Sequence, residues 1–156
     1  MKKLLRFTLT VLLSVVCGTM WAQVITFDPA TDKGSQGSSS SGEDQVTKNG
    51  VTISASPTGS FGNGSQYRVY KGSTFTVTST VGNITKVEFT CTASGEEKYG
   101  PGCFTDVTPG TYTYEGTDGT WTGNASTLSM TASTNQVRMK EIKVTIGEGG
   151  DPGPGP

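Results

Sequence analysis

Histidine is absent from the 156-residue chain. That removes the commonest general base, the usual zinc ligand and the partner a serine nucleophile needs. The chain also lacks a CxxC pair, a phosphate loop and a nucleophile elbow. Leucine is scarce, and no long apolar run follows the N-terminal segment. Nothing after that segment could therefore span a bilayer as a helix. An excess of positive charge is missing too, the formal net charge being −1. Lys2, Lys3 and Arg6 fall in the first 22 residues, so nine basic residues face thirteen acidic ones in the remainder. This balance excludes nucleic acid, which needs a basic face, and an anionic membrane surface.

Residues 1–22 have the form of a secretory signal peptide. Lys2, Lys3 and Arg6 are the positive n-region, an apolar stretch follows, and short residues lead to an expected cut between Ala22 and Gln23. The apolar stretch is too short for a stable membrane helix, which weighs against a retained anchor. Cys17 raises lipidation as an alternative, but Val16 precedes it where a small residue is needed. The expected address is exported: extracellular or cell surface, with periplasm as a further option.

What is abundant is threonine, at 26 residues, ahead of 22 glycines. Such a composition builds strands and turns rather than helices. Residues 84–92 set the pattern: Val87, Phe89 and Cys91 share one phase, while Lys86, Glu88 and Thr90 share the other. That is a strand with one buried side. Further strands are expected at residues 24–27, 51–55, 66–71, 74–79, 111–115, 120–122, 126–131 and 136–146, with a short edge strand at 104–107. Asn49-Gly50, Gly82-Asn83, Pro109-Gly110 and Asp118-Gly119 supply turns. A parity change near Lys140-Glu141 predicts a β-bulge in the last strand, with a helix at residues 137–141 as its rival. Eight or nine short strands so arranged imply an all-β fold, an antiparallel β-sandwich of jelly-roll type, over residues 23–146. Its interior is expected to hold Val51, Ile53, Phe75, Val77, Val87, Phe89, Leu128, Met130, Ile142, Val144 and Ile146. Residues 30–50 form a polar Ser/Gly-rich stretch, expected as a flexible loop. Residues 147–156 are a Gly/Pro linker or tail, which implies that this domain was tethered to others in a longer parent protein.

Several residues are candidates for chemistry. Cys91 and Cys103 are the cysteines left after export, and an even pair in an exported domain reads as a disulfide. It would close a 13-residue loop and stabilise the fold by roughly 3 kcal/mol. The alternative is two buried free thiols. Tyr99, Tyr112, Tyr114 and Trp121 are candidates for a sugar-binding site, because the apolar side of a pyranose packs on aromatic rings. Against that, Trp121 could be a core residue and the tyrosines could bridge core and water. Asp28 and Asp32, with Thr31, are candidates for a structural calcium, against a reading as ordinary turn residues. Glu96, Glu97, Asp106 and Glu115 are the carboxylates a glycoside hydrolase would draw on. They lie in or beside loops, where a solvated acid lacks the pKa shift catalysis requires.

The blocks YRVYKGSTFTVTS, GNITKVEFTCT, KYGPGCF, GTWTG and NQVRMKEIKVTI, between Tyr67 and Ile146, resemble a β-sandwich module of secreted and cell-surface proteins of Bacteroidota-type anaerobes. The resemblance implies an extracellular sandwich that follows a signal peptide and precedes other domains. It carries no established activity. The expected function is a non-catalytic binding or adhesion-associated module for glycan or another surface ligand. The rival is a purely structural spacer, and a small glycoside hydrolase comes third. No cofactor is expected, a structural calcium at Asp28 and Asp32 being the alternative.

Overall fold

The computed structural model describes residues 22–147. The expected signal peptide up to residue 21, with Cys17, and the expected tail at residues 148–156 lie outside the described residues. Ala22 and Gln23, the expected cleavage pair, are exposed, and the first strand begins at Gln23.

Twelve strands follow: β1 (Gln23–Phe27), β2 (Asp44–Lys48), β3 (Val51–Ser56), β4 (Gly59–Ser60), β5 (Tyr67–Val69), β6 (Thr74–Ser79), β7 (Ile84–Cys91), β8 (Phe104–Thr108), β9 (Thr111–Glu115), β10 (Asp118–Ala125), β11 (Thr127–Ala132) and β12 (Val137–Ile146). One sheet runs β4-β5-β12-β7-β10-β9, with β1 also on β12; the other runs β2-β3-β6-β11-β8. All pairings between strands are antiparallel. From β5 to β8 the chain changes sheet at each step, and again from β10 to β12. This alternation is the connectivity of a jelly roll. Among the described residues the only helical turn is the 3₁₀ segment Pro101–Cys103.

β7 sits between β12 and β10, and its alternation sends Val87, Phe89 and Cys91 inward. All eleven expected core residues are buried. β12 bulges where the parity changes: its register against β7 slips between Met139 and Glu141. The extra residue lets Val137 and Met139 face inward before the slip and Ile142, Val144 and Ile146 after it. Residues 137–141 are therefore strand, not helix.

Two local expectations are corrected. The stretch 30–50 is not one flexible loop, because β2 lies inside it and pairs with β3 through the Asn49-Gly50 hairpin. What orders it is Asp44, a buried carboxylate in phase with Val46. It accepts hydrogen bonds from the backbone N–H of Ser35 (2.8 Å), Gln36 (2.9 Å) and Phe61 (2.7 Å). The second correction concerns Asp118-Gly119, which lies within β10 instead of turning. The turn uses Gly116, at φ +57°, as the first of two loop residues. Gly119 instead leaves room for two aromatic side chains, since a Cβ there would meet the Phe89 ring at 2.5 Å and the Tyr112 hydroxyl at 2.6 Å.

The outer face of the β2-β3-β6-β11-β8 sheet carries Thr52, Thr78 and Thr127 in one cross-strand row, then Ser54, Thr76 and Ser129, then Thr74 and Thr131. Charges gather instead on the outer face of the other sheet, where Lys86, Glu88, Glu141 and Lys143 sit on β7 and β12.

Candidate ligand-binding rim

The loop between β7 and β8 crosses one end of the sandwich, over the end of β7. On one side Gly95 N–H donates to Gly116 O (2.8 Å) in the β9–β10 turn. On the other, Tyr99 N–H donates to the O of Gln136 (2.8 Å), just before β12, and Arg138 N–H on β12 donates to Tyr99 O (3.3 Å). The Gly102 N–H closes the loop on Gly95 O at 2.7 Å.

The expected disulfide is not what holds this loop. Cys91 and Cys103 are both free thiols, and both are buried. Cys103 turns its sulfur onto the loop's own carbonyls, donating toward Glu97 O at 3.2 Å. Cys91 points into the core from β7. Burial pushes the Cys91 thiol well above its ordinary pKa, with smaller effects from the neighbouring Cys103 and Asp118. It is thus a poor thiolate donor. Backbone hydrogen bonds supply the order a bridge would have given.

The four aromatic candidates divide. Trp121 is fully buried and its indole N–H donates to Pro109 O at 2.6 Å, so it belongs to the core and not to a binding face. Tyr112 pairs across β10 with Trp121 and therefore shares its inward face. Its ring stacks on Phe89 with centroids 6.0 Å apart, and its hydroxyl donates to Pro101 O at 2.7 Å. Burial raises the Tyr112 pKa above its ordinary value, so the group stays a donor. The Tyr112–Tyr114 face is thus not the solvent side of the sheet. It is the core side, continued past the cover of the opposing sheet.

That continuation exposes Tyr114, at 41 % of its surface. The ring lies 6.3 Å from Tyr112, and the hydroxyl donates to Glu96 Oε1 at 3.0 Å. That bond raises the Tyr114 pKa. An open depression of about 380 Å³ borders it, lined by Thr113, Tyr114, Glu115, Asp118 and Thr120. Tyr99 lies toward the other end of the loop, half-buried, in the left-handed region at φ +82°. Tyr99 and Tyr114 therefore flank one loop end to end, and Tyr112 supports the second of them from below.

The hydrolase carboxylates do not converge on a shielded pair. Glu96, Glu97, Asp106 and Glu115 are all exposed, and Glu115 faces the opposite side of β9 from Tyr114. Asp28 and Asp32 do not assemble a calcium set either. Asp28 accepts from Ala30 N–H, and Asp32 accepts from Asp28 N–H while pairing with Lys48 Nζ at 2.9 Å. The Lys48 ammonium stands where a cation would. Among the described residues no three His, Cys, Asp or Glu side chains come together for a metal. Nor is any described helix long and apolar enough to cross a membrane.

Asp44, away from this rim, is a buried acid that composition alone does not reveal. Its signal was available: an acid two residues before Val46 shares the inward phase. No family model, characterised protein or solved structure matches the chain.

Proposed function

We propose that this chain is an exported, non-catalytic β-sandwich module that binds carbohydrate at the Tyr114–Glu96 rim. One observation carries the reading: an exposed tyrosine ring is held by a strand and the Tyr112 ring beneath it and a carboxylate beside it. The ring offers an apolar face to a pyranose. The second oxygen of Glu96 offers a hydrogen bond to its hydroxyl groups. Because the ring stands on a strand and the loop is closed by backbone bonds, little entropy is lost on binding.

Export is supported by the leader-like residues 1–22, whose expected cut falls just before β1. The resemblance to Bacteroidota-type surface modules points to the same address and to attachment to further domains. Absence of histidine and the exposure of all four candidate carboxylates argue against hydrolysis. The competing reading is a structural spacer, favoured by the wholly buried Trp121. A glycan array separates the two. Selective signal from folded protein supports binding; a folded sample that is silent across neutral and acidic glycans supports the spacer.

A further inference from the structure

Arg68 on β5 and Arg138 on β12 stand directly opposite each other in the antiparallel ladder, on the outer face. Like charges so placed repel, and natural sheets usually separate them or insert an acid. Here no acid is inserted. Among the described residues neither arginine, nor the nearby Lys98, forms an ion pair with a carboxylate.

Neutral groups hold the three cations instead. The Arg138 guanidinium lies over the Tyr99 ring, 3.7 Å from its centre, and Lys98 Nζ is 5.1 Å from the same centre. Arg138 Nε donates to Gln136 Oε1 at 2.5 Å. Arg68 Nη1 donates to Ser38 O at 2.9 Å, and the Tyr70 hydroxyl donates to the same oxygen at 3.3 Å. The buried Arg68 Nε has no hydrogen-bond partner. Tyr99, the ring under two cations, sits in a left-handed conformation that a bulky residue rarely adopts. Such strain is characteristic of sites held for a purpose other than stability.

We infer that Arg68, Arg138 and Lys98 form a site for an oxyanion carried on a sugar, the carboxylate of a uronate or a sulfate ester. A planar guanidinium pair matches such a group with two parallel hydrogen bonds. The bound anion would relieve the repulsion across the β5–β12 pair. The surrounding groups favour a sugar as carrier. Ser38, Tyr70 and Gln136 are uncharged and can bond to ring hydroxyls, and Tyr99 adds an aromatic surface. A nucleic acid would need a longer basic track than three cations on an otherwise acidic chain. This site does not depend on the Tyr114 rim, which lies at the other end of the same loop.

The test is titration of the protein with dextran, dextran sulfate, polygalacturonate and poly-glutamate at fixed ionic strength. Binding to dextran sulfate or polygalacturonate is expected, the stronger of the two naming the anion, with none to dextran or poly-glutamate. Arg68→Gln and Arg138→Gln should each weaken it at least tenfold. Lys98→Gln, at an exposed position that cannot disturb the sheet, should weaken it several-fold. Lys143→Gln, a charge-matched control elsewhere on the same face, should leave it unchanged, and so should Tyr114→Ala. Wild-type affinity in Lys98→Gln and in folded arginine variants would overturn the inference. So would equal losses in Lys143→Gln, which mean diffuse attraction, or binding to poly-glutamate as tight as to the acidic sugars. Loss of neutral-glycan binding in Tyr114→Ala with acidic binding intact would leave both readings standing on separate sites.

Discussion

The carboxylate of Asp44 accepts a hydrogen bond from the backbone N–H of Phe61 at 2.7 Å, joining β2 to the segment after β4 across 17 residues. The same side chain accepts from Ser35 N–H, Gln36 N–H and Ser35 Oγ. One acid therefore orders a stretch whose composition alone reads as flexible. Asp44→Ala would leave several backbone donors unpaired, at least one of them buried. The expected cost is about 3 kcal/mol, or roughly 10 °C of thermal midpoint in a domain of this size. Asp44→Asn keeps one acceptor and should lose less. Differential scanning calorimetry of both variants checks the order; no loss in Asp44→Ala would mean the segment is held by other contacts.

Phe89 joins β7 to the other sheet through Phe104, with ring centres 5.6 Å apart, and to the rim through Tyr112. Phe89→Ala should cost about 3–5 kcal/mol as a buried large-to-small change. Urea unfolding measures it, and an unchanged midpoint would remove β7 from the centre of the core.

The two buried thiols make a prediction opposite to that of a disulfide. Native protein should resist alkylation at Cys91 and Cys103 and take up two alkyl groups on unfolding without any reductant. Its thermal midpoint should not change with reductant. Intact mass after alkylation in denaturant is the check, and an unmodified protein would restore the bridge.

Asp32 should leave a signature in acid. Burial alone would raise its pKa, but the Asp28 N–H and the Lys48 ammonium outweigh it and hold the carboxyl below its ordinary value. The folded pKa is thus lower than the unfolded one. Its stabilisation is present above about pH 4 and fades as pH falls through the folded value. The pair is partly exposed, with the Lys48 side chain at 36 % and Asp32 at 17 %, so its worth is at most about 1 kcal/mol. Lys48→Met should lower stability at pH 7 and show a smaller deficit near pH 2, where only the Lys48 Nζ bond to Thr26 O is lost. A deficit of equal size at both pH values would assign Lys48 a packing role only.

Much of the fold was legible because period-two alternation is a local property. Residues 84–92 and 74–79 show it without interruption, and β7 and β6 occupy those positions. The bulge in β12 was legible for the same reason, since a parity change is visible in the chain itself. What escaped depended on partners far away in sequence. Asp44 looks like a loop acid until Ser35 and Phe61 close on it. Tyr112 and Tyr114 alternate with threonines, so their strand reads equally well with either face inward; only the pairing of Tyr112 with Trp121 decides. Cys91 and Cys103 satisfied the count and compartment arguments for a bridge. The direction of the Cys103 sulfur, set by the carbonyls of Glu96 and Glu97, left no such trace.

The central claim, carbohydrate held against Tyr114, is tested most directly by titrating wild type, Tyr114→Phe and Tyr114→Ala with a glycan that scores on the array. Tyr114 is exposed, so neither change should move the thermal midpoint appreciably. Loss of ring stacking worth about 1.5 kcal/mol should weaken Tyr114→Ala roughly tenfold, while Tyr114→Phe keeps the ring and most of the affinity. Equal affinity in wild type and Tyr114→Ala would contradict the assignment of the site.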